Sequence, residues 1–531
     1  MKRRLIILLA AACAAACMLC PQTAMAYPDY EDEDDYGYED DYGYDDEVDT
    51  SWFNFQDPQV EYKISTEAEL RGLASLVNEE QYMWKPNRTE SFEDVTFVLT
   101  RDITLTDDWT PIGVDDQITF GGTFDGKGHS ITGLKIQSED PYCGLFGHLS
   151  GNVRNLYVEG NVSTSGNYCG GIAGFVSDTG SISHCHSNVQ VAGLYNVGGI
   201  AGEINGGLVR YCINYGEVIG ASMVGGIVGE SRGGTVRGCG NRGLIFSNGA
   251  GSFNNGTGGV VGRSVSASTL SLCYNVGDII SSNEATGGVT GYTNSTGSSI
   301  KNCYSIGTIR IEKAQVETTV ALDMNDPTNR QTGALSGKKL PVYAGGIAGF
   351  VGSQNLTIMN CYNAGRIKGA SYAGGIIGKC ENELYSSTAP RFINNYYANG
   401  SFDSAIAADR DDKKMRVRGA ATEIYDSAFG HMASSLGEAY MDDRAGSYGS
   451  RGYPVLIWQE EIQTEEDLAV LKHIDKETQK MLHDYSLMLN SNEVQQGSMF
   501  LRFFNSDLIY EITQGENNPM VNNETEKGTR K

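Results

Sequence analysis

The sequence is short of cations. It carries 40 Lys and Arg against 66 Asp and Glu, a formal net charge of −26. Phosphate recognition needs clustered cations, so this balance argues against nucleic acid as a partner. Long apolar runs are also scarce. Only Leu5 to Leu19 is continuous, and no other stretch approaches the length of a membrane span. The His-Glu-x-x-His phrase of zinc peptidases is missing: none of the seven histidines, His129, His148, His184, His186, His431, His473 and His483, begins it. Cys-x-x-Cys occurs only at Cys17 and Cys20, within the first 26 residues, which removes the usual metal-ligand spacing from the rest of the chain. No cofactor or metal site is therefore expected. Leucine-rich phrases and helix-forming repeats are absent from the body of the chain.

The ends read differently from the middle. Lys2, Arg3 and Arg4 precede the apolar run, and Ala24-x-Ala26 follows it. This is the pattern of a cleaved secretory signal over residues 1–26. A lipid attachment at Cys13 or Cys17 is the competing reading. The implied location is extracellular, released or held at a cell surface by means the C-terminal "NNETEKGTRK" does not reveal. Residues 27–60 form an acidic linker. Its first part, Tyr27 to Thr50, holds 13 acids and no Lys or Arg. Such a block repels itself, cannot bury a core and is expected to be disordered.

Glycine is abundant and regular. "YCGGIAGF", "YAGGIAGF" and "YAGGIIGK" open at Tyr168, Tyr343 and Tyr372. The last glycine of each such phrase falls at Gly147, Gly174, Gly202, Gly229, Gly262, Gly291, Gly349 and Gly378, with steps of 27, 28, 27, 33, 29, 58 and 29. A second phrase, "CYN" and its variants, keeps the same period through Cys185, Cys212, Cys239, Cys273, Cys303 and Cys361. Three residues before each cysteine stands Ile, Val or Leu (Ile182, Val209, Val236, Leu270, Ile300, Ile358). Six residues after stands a β-branched residue, from Val191 to Ile367. Polar, variable neighbours flank these apolar positions, which is strand alternation. A period near 28 with this composition fits a right-handed parallel β-helix, an all-β solenoid of stacked coils. About ten coils give a rod on the order of 50 Å. Asn155, Asn302, Asn360 and Asn394 share a phase where a left-handed residue is expected.

"GGTFDGKGHSITGL" from Gly121, "CGLFG" from Cys143, the repeated "GGIAG" and the closing "GYPVLIWQ" from Gly452 resemble GLUG-motif proteins. The resemblance covers roughly residues 61–459. It implies a bacterial secreted or cell-surface β-helix with an adhesin-like role and no particular chemistry. It extends to the leader "ISTEAELRGLASLVN", read as a helix capped by Thr66 and Glu69. Residues 460–531 read as a helix followed by a strand and a tail, placed to cap the rod or to meet a partner.

Within the solenoid, one carboxylate pair falls in register, Glu203 with Glu230, followed on the next coil by Arg263. Stacked carboxylates could act as an acid/base pair or hold a cation; an exposed polar ladder is the simpler reading. Arg210 and Arg237 also share a phase. The cysteine ladder reads as buried thiols, because stacked side chains point in parallel and suit a disulfide poorly. Cys143 and Cys169 are the candidate bridge. Tyr142, Tyr168, Tyr343 and Tyr372 could stack on sugars or fill a bend. The stretch 310–342 is either a degenerate coil or a loop leaving the rod, and Glu381 to Pro390 is a shorter excursion. The expected function is a non-catalytic scaffold contacting a host or cell-surface protein or glycan. The alternative is a polysaccharide lyase or hydrolase, or a carbohydrate-binding β-helix.

Overall fold

The computed structural model describes residues 48–461 except 55, 80–91, 250–254, 295, 313–340, 353–354, 382–389, 399–401, 403, 408–420 and 449. The expected signal segment, the acidic stretch through residue 47 and the C-terminal segment beyond residue 461 lie outside the described residues.

The chain is a right-handed parallel β-helix, as its period implies. One coil runs through Leu208–Arg210, a corner at Tyr211, Ile213–Asn214, a bend at Gly216, Val218–Gly220, Ser222–Gly225 and Val228–Arg232. The next coil begins at Thr235, paired in register with Leu208. One apolar column passes from Tyr62 through Phe97, Phe124, Val153, Ile182, Val209, Val236, Leu270, Ile300 and Ile358 to Phe392. At about 4.8 Å per step this column is on the order of 50 Å long. Two further faces are parallel sheets of seven and eight strands.

The glycine phrase is explained by what stands against it. Asn214, Asn241 and Asn275 form a buried ladder. Each amide nitrogen donates to the carbonyl of the residue two ahead, and Asn214 and Asn241 also donate to the next Asn Oδ1, at 2.9 Å. The second glycine of the "GG" lies on this ladder at Gly199, Gly226 and Gly259; at Gly171 and Gly288 a serine, Ser187 and Ser305, stands in the same place. A Cβ at Gly226 would stand 2.3 Å from Asn241 Cγ. The last glycine meets the backbone of the neighbouring sheet: a Cβ at Gly202 would lie 2.5 Å from Cys169 N and Gly174 O. Gly147, Gly174, Gly229, Gly262, Gly291, Gly349 and Gly378 are confined in the same way.

The six phased cysteines are all buried. Most of their thiols reach back to carbonyls of their own and the preceding coil, as Cys212 Sγ does to Arg210 O at 3.2 Å and Ile182 O at 3.7 Å. Cys143 and Cys169 are paired across adjacent strands yet both are free thiols, which corrects the expected disulfide. Parallel Cβ vectors on neighbouring strands are the physical reason. Asn155, Asn302, Asn360 and Asn394 all adopt positive φ, between 53° and 55°.

The leader is the helix Glu67–Asn78. Glu69 N donates to Thr66 Oγ1, and Thr66 N donates to Glu69 Oε2, completing a capping box. Its buried face, Leu70, Leu73, Leu76 and Val77, joins the rod's interior at the N-terminal end. Trp52 and Phe53 pack there too, so ordered packing begins ahead of Glu61.

No coil is interposed between the strands Ala285–Gly287 and Tyr343–Gly345. Ala285, Thr286 and Gly287 pair directly with Tyr343, Ala344 and Gly345, so the coils on either side are immediate neighbours. Arg310 and Ile311 still belong to the strand Ile309–Ile311, so the excursion is narrower than the expected 310–342.

Residues 424–461 turn back along the side of the rod. Phe429, Leu436, Tyr440, Val455, Leu456 and Trp458 cover a stack of three tyrosines on successive coils, Tyr274, Tyr304 and Tyr362. Trp458 Nε1 donates to Leu272 O at 2.8 Å, and Tyr304 donates to Gln459 Oε1 at 3.0 Å. The described part of the C-terminal region therefore clasps the flank of the solenoid.

Candidate functional site

Register brings Glu203 and Glu230 side by side, with Arg263 on the following strand. They occupy an outward row of the eight-stranded sheet, beside His148 and Phe175 on one side and Tyr292, Phe350 and Lys379 on the other. Outward does not mean exposed here. The two carboxylate side chains are 4% and 1% accessible, which corrects the reading of an exposed polar ladder.

Arg232 seals them. Its Nε lies 2.9 Å from Glu203 Oε1 and its Nη2 lies 3.1 Å from Glu230 Oε1. Arg263 Nη1 approaches Glu230 Oε1 at 3.4 Å. Asn196 Nδ2 donates to Glu203 Oε2 and, at 3.3 Å, to Glu230 Oε2. Burial, and then the adjacent charge of Glu230, push the Glu203 carboxyl up to about 7; Arg232 and Asn196 pull against this shift. Glu203 thus keeps its proton up to near neutral pH. General acid/base work also requires a substrate within hydrogen-bond reach. Here both acids spend their oxygens on arginine and asparagine beneath a guanidinium lid.

Arg232 and Asn196 were not singled out in the sequence. Arg232 was accessible to reasoning: it lies two residues beyond Glu230 on a strand, hence on the same side. Asn196 had no such signal, because it reaches the pair across a corner from the adjacent sheet.

The phrase-leading tyrosines lie along the neighbouring corner. Tyr142 and Tyr168 stack at 5.0 Å and 7°, and Tyr343 and Tyr372 at 5.3 Å and 17°. Phe175 sets its edge against the first pair, and the Lys379 ammonium sits 4.8 Å from the Tyr343 ring. Ring faces that a sugar would need are largely occupied by other rings. Among the described residues, no group of three or more His, Cys, Asp or Glu is placed to hold a metal ion. His186 is fully buried, and burial, then Arg242 and His184, depress its pKa to about 3.

The more open features lie along one edge, the corner between the Val218–Gly220 and Ser222–Gly225 positions of the coil. Most coils turn there in one to three residues, as at 282–284. At two coils the same corner lengthens, to 248–255 and to 312–342. Leu194 and Tyr195, 42% and 45% exposed, stand at this corner on an earlier coil. The residues 250–254 and 313–340 themselves lie outside the described residues.

No protein-family model and no curated protein matches the chain. Among solved structures, similarity is found to the crystal structure of a "putative immunoglobulin A1 protease" from Bacteroides ovatus. The identity is 19% and the TM-score 0.36, over 49% of this chain and 79% of that one. The β-helix is defined by the chain's own strand pairing.

Proposed function

We propose that the protein is a secreted, non-catalytic β-helix scaffold that serves adhesion at or near a cell surface, presenting one lengthened edge to a host or cell-surface protein or glycan. The reading is carried by the sealing of Glu203 and Glu230: the carboxylates that register brings together are closed off by Arg232, Arg263 and Asn196. The edge on which the corners at 248–255 and 312–342 lengthen supplies the contact surface, since long excursions on a rigid scaffold commonly carry binding. The N-terminal signal pattern and the resemblance to GLUG-motif proteins agree with an extracellular role.

The test has two arms. The purified chain is incubated with a panel of polysaccharides and the product sizes are measured. The expected result is no shortening; shortening that Glu203→Gln or Glu230→Gln abolishes would establish the lyase or hydrolase alternative. In the second arm, the chain with residues 313–340 replaced by a three-residue corner is compared with the intact chain on protein and glycan arrays. Loss of a captured ligand on a folded rod is the expected outcome. Identical array profiles would remove the excursion from the reading.

A further inference from the structure

A different face of the rod carries a row of cations without acidic partners among the described residues. The strands Leu208–Arg210, Thr235–Arg237, Thr269–Ser271, Ser299–Lys301, Thr357–Met359 and Arg391–Ile393 stack in register on one face. Their middle residues point inward, so the first and third residues form two outward rows. Arg210, Arg237 and Lys301 lie in one row and Arg391 in the other; the three arginines are exposed. No carboxylate occupies either row, in a chain where acids outnumber bases 66 to 40. Among the described residues, none of these four cations has an ion-pair partner within 4.0 Å. Arg154 and Arg232, on strands of the same rod, are by contrast matched: Arg154 binds Asp125 at 2.8 Å, and Arg232 binds Glu203 and Glu230.

The spacing carries chemical information. Arg210 and Arg237 are one register step apart, Arg237 and Lys301 two, Lys301 and Arg391 two. At about 4.8 Å per step the charges stand about 5 or 10 Å apart along the axis. Duplex DNA presents one charge per about 1.7 Å, far denser than this row. A linear glycan with one carboxylate per disaccharide has the sparser repeat that fits. Beside the cations, Thr235, Thr269, Ser299 and Thr357 supply a line of hydroxyls able to bond sugar hydroxyls. Neither row contains an aromatic residue on which a base could stack. One exposed ion pair contributes little, but several on a rigid face engage one polymer as linked sites.

We propose that this face is a track for a linear acidic polysaccharide bearing one carboxylate per disaccharide, recognised by Arg210, Arg237, Lys301 and Arg391. The inference rests on the reading of the rod as a binder and names the chemistry of one ligand.

The probe is a hyaluronan decasaccharide, titrated calorimetrically into the full chain at low and moderate salt. Binding is expected, weakening as salt rises. The same oligosaccharide with its carboxyl groups reduced to alcohols is expected not to bind. Arg210→Ser combined with Arg237→Ser and Lys301→Ser is expected to weaken binding by about tenfold or more, a change of about 1.4 kcal/mol. Arg366→Ser, outside these rows, is expected to leave it unchanged. Should the triple variant lose its circular dichroism signature, the single Arg237→Glu carries the comparison. The inference is overturned if the intact decasaccharide does not bind, if the reduced form binds equally, or if the variants bind like the parent. Tighter binding of a single-stranded oligonucleotide or of phosphatidylserine vesicles also overturns it. A decasaccharide recovered in shortened form instead refutes the non-catalytic reading, so the two failures are distinguishable.

Discussion

Two acids on this rod respond to pH with opposite signs. Asp125, 1% exposed, sits in the "FDGKGH" bend and accepts from Lys127 N at 3.0 Å, Asn155 Nδ2 at 3.1 Å and Arg154 Nε at 2.8 Å. Burial alone would raise its pKa, but these donors and the Arg154 charge outweigh burial and hold it below the ordinary value. Its contribution to stability is therefore present above the unfolded pKa of about 3.9 and lost as pH falls through the lower folded value. Glu203 is the reverse. Its folded pKa of about 7 exceeds the unfolded value, so its contribution is complete below about pH 4.3 and disappears as pH rises toward 7. Thermal melts from pH 3 to 8 check both. Asp125→Asn should flatten the acid limb. The melting temperature of Glu203→Gln relative to the parent should climb between pH 5 and 8; a constant offset refutes the assignment. At the same scale, Gly226→Ala forces a methyl group onto Asn241 and should cost roughly 1–3 kcal/mol in denaturant titration. An unchanged midpoint would mean the asparagine ladder yields freely.

Among the elements, the flank clasp stands apart from the repeat. The stacked Tyr274, Tyr304 and Tyr362 occupy the outward position of the "CYN" phrase and would face water on a bare solenoid. Residues 424–461 bury them, anchored by Trp458 and by Tyr362, which donates to Pro454 O. Trp458→Ala is expected to destabilise the clasp by roughly 3–5 kcal/mol. It should also raise binding of an apolar dye while leaving the far-ultraviolet β signal intact. A variant that melts as one unit at the parent's temperature, with no added dye binding, would show that the clasp is held elsewhere. The clasp was not legible in the sequence. "GYPVLIWQ" marks an apolar segment but has no periodic partner, because its contacts run from one short strand to several coils at once. The helix Glu67–Asn78 was legible because its capping box is local. The sealed carboxylates were half legible. Stacking follows from the period, whereas burial depended on Arg232 and on Asn196 reaching over from another sheet.

For the molecule as a whole, the period carried most of the fold. Every step near 28 residues became one strand spacing, which is why the Ile182 column could be written down in advance. The period could not say whether 310–342 was a coil, since its length suits either. Only the direct pairing of Ala285 with Tyr343 decides that. The thiols offer a check at this scale. All nine cysteines among the described residues are buried and free. Burial raises Cys143 to about 11, which suppresses its thiolate, and the packing around every thiol keeps reagent out. Folded protein should hardly react with a thiol reagent, while denatured, unreduced protein should release about nine equivalents, or at least seven. Three or fewer would mean that disulfides cross the coils.

The corner that lengthens after Ile311 has an evolutionary and practical corollary. The chain leaves and re-enters the solenoid across a gap that the preceding coil bridges with three residues, 282–284. The mooring points are thus independent of the cargo between them. Replacement of 313–340 by unrelated peptide should cost the rod little, whatever the inserted length, because closing a longer loop grows only logarithmically in cost. Lineages could then exchange the segment between the mooring points wholesale while the solenoid stays the same.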